Sequence, residues 1–543
     1  MGEARKDALR LGFDRAIKLE FHGARVSSDA DLFPYRDLDD AARLTESVAA
    51  DLFDFRTGNN IRHSMTALVR QSVFSRLAGY EDTNDAERLS EDPVMRHVIG
   101  GRAVDRKASS TSEIGRFETD VLTHPDNLAA LMNMPGKWVD RIRQRRAIKK
   151  LILDMDSSVS ETYGQQEGAL YNGHFACTCY HPLFLFNQDG DLERALLRKG
   201  NVHSADDWRS VLGPVVERYK DVDIPKFFRG DAAFAQPGVY VYLEAEHYQY
   251  VIRLPGNNLL REHVRHLLMR PVGRPPKKPV VRYHSFEYQA KSWDTPRRVI
   301  GKIQWHQSEL FPRVNFVVTN LTWSPKKVVA FYNKRGLAEQ WIKEGKYAVN
   351  WTRLSCHDFD DNQVRLQLFT LAYNLGNFFR RLALPASVKH WTLTTLREKL
   401  IKIGEKMVRH ARYVTFQLAE VAIPRRLYRA ILNRIRRFAV IMPRASPTRP
   451  VASTDKPTNK RRVTLSVRAN LAWSGFWGSR NADLAPNSRT PDGVRDINAW
   501  VPPGGVTLVR EQPGGVAGQS SYGKSGTRAR GYRRWPARDD SWL

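Results

Sequence analysis

At Leu151 the hydrophobic period of this chain changes from helical to strand-like, and no other feature restricts its fold as much. Leu151-Ile152-Leu153-Asp154-Met155-Asp156 reads as an apolar strand ending in acid, and Phe175 to Tyr180 and Leu183 to Phe186 continue the strand pattern. A helix from about Ala205 to Tyr219 follows, then the short strand Lys226-Phe227-Phe228, which leads into Arg229-Gly230-Asp231. Next come a helix opened by Pro237 and a strand from Tyr248 to Leu254, although Val239-Tyr240-Val241-Tyr242 also fits a strand. Three strands, helix, strand, helix, strand is the order of an α/β core over residues 148–254.

The flanks differ from this core. Residues 1–147 read as a helical, DNA-binding region, with apolar residues three and four apart over Asp39 to Leu52 and Asn60 to Leu77. Ser109-Ser110-Thr111-Ser112 is expected to cap a helix. Arg141, Arg143, Arg145, Arg146, Lys149 and Lys150 form a basic run suited to a solvated helix face or to DNA backbone contact. Residues 255–324 look like an insertion with its own sheet, including a short helix near Leu259 to Leu268, a basic loop Arg274 to Lys278, and strands Val299 to Trp305 and Phe316 to Leu321. Residues 325–442 read as helical, with a helix from Lys326 through Ile342, another from Gln363 to Leu382, and a cluster of six arginines between Arg425 and Arg437. Residues 443–543, rich in Pro, Gly, Ser and Arg without an apolar period, are expected to be a disordered basic tail.

Charge points to the partner. Eighty-six Lys and Arg against 58 Asp and Glu give a formal net charge of +28 over 543 residues, a field that attracts polyanions, nucleic acid first among them. Cys177, Cys179 and Cys356 are too few for a disulfide framework or a four-cysteine zinc site. The segment Met1 to Lys18 lacks the apolar core of a secretory signal, and no stretch has the length of a membrane span, so a cytoplasmic protein without a membrane partner is expected.

The chemistry-bearing candidates are carboxylates at strand ends and on one helix. Two divalent ions held by a few converging carboxylates activate an attacking oxygen and stabilise a leaving one, and hard oxygen ligands suit Mg²⁺ and Mn²⁺. Asp156 and Asp231 each close a strand, and Glu339 lies in the helix after the insertion. The bland reading of a strand-end Asp is a turn residue or cap, and of a helical Glu a solvated side chain. Asp154, two residues before Asp156 and on the same strand face, is the alternative first carboxylate or a supporting group. Glu344 is the rival of Glu339, five residues on and rotated away.

Tyr332, Arg335, Glu339 and Lys346 match, position for position, the Tyr, two residues, Arg, three residues, Glu, six residues, Lys signature of bacterial insertion-sequence transposases of the DDE class. Asp231-Ala232-Ala233-Phe234 and Asp156-Ser157-Ser158 resemble that class around its two aspartates. The resemblance runs from about residue 20 to 440, and with Leu153 to Asp156 and Gly164-Gln165-Gln166-Glu167-Gly168 it is nearest to insertion-sequence family thirteen-eighty. It implies an RNase H-like core, a mixed five-stranded sheet flanked by helices, carrying an inserted β-rich subdomain. It also implies a triad of Asp156, Asp231 and Glu339 holding two Mg²⁺ (or Mn²⁺) ions, cut-and-paste transposition, terminal inverted repeats and target DNA as partners, and a homodimer in the synaptic complex.

The spacing has a physical reading of its own. On one helix Tyr332, Arg335 and Glu339 share a face, and Lys346 returns to it two turns later. The carboxylate completes a metal site while Arg335, Lys346 and the Tyr332 hydroxyl meet phosphates; the plainer alternative for the cations is an intrahelical pair with Glu339 or Glu344. The resemblance also implies end-processing with a displaced base held on an aromatic, for which Trp293, Trp305 and Trp323 are candidates, core packing being their simpler role. A catalytically inactive DNA-binding derivative, and a nuclease of the same fold that does not join strands, remain alternatives.

Overall fold

The computed structural model describes residues 9–10, 18–19, 25–29, 32–57, 61–144, 146–273, 277–307, 309–410, 413–419 and 423–440. Arg145, the Arg274-Pro275-Pro276 part of the basic loop and the 443–543 tail expected to be disordered lie outside these residues.

A mixed α/β architecture is built on one eight-stranded sheet. Its strands are β1 (Leu151–Ser157), β2 (Leu183–Asn187), β3 (Leu192–Leu196), β4 (Lys226–Gly230), β5 (Gln249–Leu254), β6 (Val280–Tyr288), β7 (Arg297–Trp305) and β8 (Arg313–Thr319). They lie in the order β6-β7-β8-β5-β4-β1-β2-β3. β1 pairs parallel with β4, and β4 with β5, through crossover connections. β2 and β3 add antiparallel on the other side of β1. β1 is central and its residues are buried on both faces, which is why it reads as a continuous apolar run.

Two expectations about the sheet need correction. The strand Cys177–Tyr180 is not in the core sheet; its first two residues are partly or fully exposed and its last two buried, and it pairs with Ser160–Glu161 and Leu170–Asn172 in a small separate sheet. The third core strand is β3. The insertion, likewise, forms no separate sheet among the described residues: β8 pairs antiparallel with β5, so that β6, β7 and β8 extend the core sheet and bury Val299, Ile303, Phe316 and Val318 in a continuous apolar layer.

Helices cover the sheet: α1 (Pro125–Arg143), α2 (Trp208–Arg218), α3 (Pro237–Ala245), α4 (Pro325–Asn333), α5 (Gly336–Ala348) and α6 (Phe359–Leu382), while α7 (Arg425–Val440) packs on the N-terminal helix Leu32–Ala42 and on α6. α2 and α3 pack on one face with Val211, Leu212, Val239 and Tyr240, while α4 packs on the other through Val328, Val329 and Tyr332. The long α6 also covers the β3 edge. Gln363 Oε1 accepts from Leu197 N (2.6 Å), Gln367 Nε2 donates to Ala195 O (3.0 Å), and Asn374 both accepts from Leu192 N and donates to Leu192 O (2.9 Å each). Side-chain amides on one helix face thus pair the edge groups that another strand would otherwise take.

The N-terminal region is largely helical, and Ser110 caps its helix by accepting from Glu113 N. The expected helix Asp39 to Leu52 divides into Leu32–Ala42 and Leu44–Asp51 at Arg43, whose φ is +54°. The buried Asp39 carboxylate causes this break, because it accepts from Thr45 N (2.8 Å) and Thr45 Oγ1 (2.6 Å) and so holds the start of the second helix. Nor do helices continue unbroken to the end of the described chain. Glu405–His410 and Tyr413–Leu418 form a hairpin that pairs with Arg25–Ser27, with alternating burial of Glu405 and Met407 fitting a strand and no helix.

Candidate active site

Adjacent parallel strands bring two of the three candidate carboxylates together. In the β1–β4 register Met155 lies opposite Gly230, so the next residues, Asp156 and Asp231, stand side by side where the two strands end. Each is tied to its own backbone: Asp156 Oδ1 accepts from Ser157 N (3.0 Å), and Asp231 Oδ1 accepts from Ala233 N (3.0 Å), capping the turn Ala232–Phe234.

The expected single helix through the signature is two helices. α4 ends at Asn333 and α5 begins at Gly336, with Lys334 and Arg335 in a tightened turn where Arg335 N donates to Tyr332 O and Ala338 N to Arg335 O (2.8 Å each). Gly336, a poor helix former, marks the break. The turn sends Arg335 into the carboxylates: its Nη2 lies 3.0 Å from Asp156 and 3.8 Å from Asp231, and its Nη1 lies 3.7 Å from Glu339. Burial draws the Arg335 guanidinium down, yet the charges of Asp156 and Asp231 outweigh burial and hold it above its ordinary value. Its Nε has no hydrogen-bond partner among the described residues.

Exposure grades outward across this cluster. The Asp156 and Arg335 side chains are 7% and 10% exposed, Asp231 is 29% and Glu339 40%, so the cluster opens to solvent on the Glu339 side. A tight turn packs against the same helix, α5. Gly190, between β2 and β3, has φ +75°, and a Cβ there would stand 2.7 Å from the ring of Trp341 on α5.

Asp154 and Glu344 take structural roles. Asp154 is fully buried and accepts from Arg229 Nε (2.7 Å) and Nη2 (2.5 Å), while Arg229 Nη1 donates to Phe331 O (2.9 Å); burial pushes this carboxyl up and Arg229 opposes the shift. That pair ties β1 to β4 and α4, so Asp154 is committed to Arg229. Glu344 is buried against Arg380 of α6 (2.7 and 2.9 Å), which anchors α5 from behind.

The remaining signature residues separate. Tyr332 is 4% exposed, packed with Val317, Val328 and Val329, and burial pushes its hydroxyl up to about 12 against the pull of Arg335. Lys346 lines a neighbouring cleft; burial draws its ammonium down, while Glu161 and Asp156 draw it up. The three candidate tryptophans are packed. Trp293 meets Tyr240 and Tyr288, Trp305 is buried in the same layer, and Trp323 lies against Phe227 and Phe331 with the Lys327 ammonium 4.6 Å above its ring. Sequence reasoning missed the exposed Tyr163 and Tyr347 of the cleft, whose signal was an aromatic beside Gly164 and another beside Lys346.

Among the described residues no three His, Cys, Asp or Glu side chains stand close enough to hold a metal ion as they are, because the Arg335 guanidinium occupies the space between the carboxylates. The donor chemistry does fit one: three carboxylates around a single guanidinium leave a net charge of −2 facing outward, supplied by hard oxygens. No helix among the described residues is long and apolar enough to cross a membrane.

Two carboxylates at parallel strand ends and a helical glutamate thus share one guanidinium. The family model described as transposase DDE domain group 1 matches residues 9–440, and the chain belongs to that family of transposases. No curated protein matches it. Among solved structures it is similar to the piggyBac transposase synaptic complex with hairpin DNA, at 12% identity and a TM-score of 0.34 over 69% of this chain and 80% of that one.

Proposed function

We propose that this chain is a cut-and-paste transposase of the insertion-sequence family thirteen-eighty type. It binds terminal inverted repeats, hydrolyses phosphodiesters at the element ends and joins the freed 3′ hydroxyls to target DNA. The observation that carries this reading is the convergence of Asp156, Asp231 and Glu339 on Arg335. The order β3-β2-β1-β4-β5 supports an RNase H-like core, with β6, β7 and β8 as its insertion.

Asp156, Asp231 and Glu339 are the residues that would hold Mg²⁺, or Mn²⁺ in its place. Two such ions supply an activated attacking oxygen and stabilise the leaving oxygen. Asp156, pinned by Ser157 N and Arg335, fixes the inner end of the site. Asp231 and Glu339, at the longer distances from Arg335 and more exposed, have room to turn toward substrate. Arg335 keeps its charge and orients Asp156. Lys346 grips a phosphate from the cleft side. Tyr332, assigned to phosphate by the signature, is buried next to Arg335 and serves to position that side chain. Two element ends require two active sites, so the working form is a homodimer on DNA, in the bacterial cytoplasm at the nucleoid.

The test is Mg²⁺-dependent nicking of an end-containing duplex by the wild type and by Asp231→Asn and Glu339→Gln, followed by strand transfer from precut ends. Loss of nicking in both variants is expected. Equal nicking in all three removes the site assignment, absence of nicking in the wild type leaves a DNA-binding derivative, and cleavage without joined product makes the enzyme a nuclease.

A further inference from the structure

Strand register places one more charged side chain level with the carboxylates. Gly230 of β4 lies opposite Ile252 of β5, so Arg253 stands beside Asp231 as Asp231 stands beside Asp156, with neighbouring strands roughly 4.8 Å apart. β5 also packs against the turn Ala232–Phe234 that follows Asp231. Alternation along β5 puts Arg253 on the face of Val251, which packs with Val317 and Tyr332 under α4. On that same face Arg229 reaches from β4 to Phe331 O of α4. Asp156, Asp231 and Arg253 thus form a row across the ends of three parallel strands.

The arginines at this end of the sheet differ in commitment. Arg229 is held by Asp154 and Arg335 by Asp156. Arg253 is half-buried and forms no hydrogen bond or ion pair among the described residues. A solvated arginine at a strand end would account for it in isolation, but its neighbours on the same face change character with it. Under α4 that face is apolar, with Val251, Val317 and Ile300. Two residues further toward the carboxylate end, β5, β8 and β7 present Arg253, Asn315 and Lys302, the last two opposite one another in register. Burial alone draws the Lys302 ammonium down. Packing α4 calls for no such switch. A polyanion does, because Asp156, Asp231 and Glu339 around Arg335 leave a net charge of −2 that repels phosphate, and cations at the end of the row offset it.

We propose that Arg253 grips a phosphate of the DNA strand at the active site, on the β5 side of the phosphodiester that Asp156 and Asp231 address. The inference rests on the transposase reading and adds to it a DNA contact outside the Tyr332, Arg335, Glu339 and Lys346 signature. A planar guanidinium meets a phosphate through two parallel N–H donors, so it fixes the strand's rotation as well as its position. The strand then crosses the ends of β1, β4 and β5 in turn and leaves toward the insertion.

The experiment measures binding to the full chain in EDTA, where no strand is cut, of a fluorescein-labelled end-containing duplex in which each phosphate near the cut is replaced in turn by an uncharged methylphosphonate. For the wild type, one replacement is expected to weaken binding about tenfold, the loss of one charge-assisted contact. Arg253→Ala is expected to bind the unmodified duplex about tenfold more weakly, to lose less than twofold more at that same replacement, and to lower the slope of log K against log[salt] by about 1. Its thermal midpoint should stay within about 2 °C of wild type. Arg253→Lys should keep the salt slope and lose part of the affinity. Equal sensitivity of wild type and Arg253→Ala at every replaced phosphate overturns the proposal. A phosphate that only the wild type senses, alongside absent Mg²⁺-dependent nicking, would sink the transposition reading alone, and nicking with equal sensitivity would sink the Arg253 contact alone.

Discussion

Arg335 Nη2 lies 3.0 Å from Asp156 Oδ1, an ion pair between side chains only 10% and 7% exposed, at the point where β1 ends and α5 begins. Removing one partner of a buried pair leaves the other charge without compensation, at a cost of roughly 3–5 kcal/mol. Arg335→Ala is therefore expected to lower unfolding free energy by about that amount in urea titrations, and to abolish nicking. Arg335→Lys keeps the charge but not the planar fork that spans Asp156 and Glu339, so it should retain most stability and lose nicking about 100-fold. Full activity in the lysine variant would show that point charge alone suffices.

Glu339 and Glu344 occupy one helix and predict opposite phenotypes. Glu339→Gln touches a 40% exposed side chain and should leave the thermal midpoint within about 2 °C of wild type while removing nicking. Glu344→Ala uncouples α5 from Arg380 and should cost roughly 3–5 kcal/mol, with activity falling as the folded fraction falls. Calorimetry on the two proteins separates the roles.

Gly190→Ala adds a Cβ at φ +75° and 2.7 Å from the Trp341 ring. The left-handed backbone alone costs a non-glycine residue roughly 1 kcal/mol, and the ring must also move. We expect a lower thermal midpoint and a fall in nicking larger than stability explains, because Trp341 lies on the helix that presents Glu339. A midpoint equal to wild type would contradict the turn's role.

Glu405 gives a pH dependence. Burial, aided by Asp92 and Asp29, pushes its carboxyl up to about 8 from an ordinary 4.5, and neither oxygen has a hydrogen-bond partner among the described residues; Asp29 itself faces Lys402. A carboxyl raised on folding binds more protons in the folded state than in the unfolded one, so stability falls as pH rises from about 4.5 and levels off above about 8. Urea titrations at pH 5 and pH 8.5 should show this loss, and Glu405→Gln should reduce it.

The arginines of α7 predict a salt signature. Arg425, Arg426, Arg429, Arg434, Arg436 and Arg437 are all exposed and occupy one side of the helix, while Ile431 and Ile435 are buried on the other. Arg429→Gln/Arg436→Gln should weaken duplex binding and reduce the slope of log K against log[salt] by about 2, with the thermal midpoint unchanged. An unaltered slope would mean that this face does not meet phosphates.

Much of the core was legible because its signals are local. β1 and β4 are short apolar runs leading into aspartate, and the signature singled out Glu339, which the fold brings to the same guanidinium as Asp156 and Asp231. β3 is not legible because Glu193 and Arg194 interrupt its apolar pattern, and only the fold shows Glu193 satisfied by Asn187 Nδ2 (2.7 Å) and the Tyr219 hydroxyl (3.1 Å). The roles of Asp154 and Glu344 depend on Arg229 and Arg380, 75 and 36 residues away, which no spacing rule reaches. The break between α4 and α5 has a visible cause in Gly336, yet an isolated glycine also occurs inside continuous helices.

The amides of Gln363, Gln367 and Asn374 that pair with β3 impose an order on how this protein is made. Asn374 lies 182 residues beyond its partner Leu192, so a chain growing from its N-terminus completes β1, β2 and β3 long before it makes the helix that seals their edge. At synthesis rates of about 5–20 residues per second that interval lasts on the order of ten seconds or more. During it the β3 edge is open to any other strand nearby. Aggregation of nascent chains, more than instability of the finished enzyme, is the hazard that overexpression would meet, and slower synthesis would lengthen it.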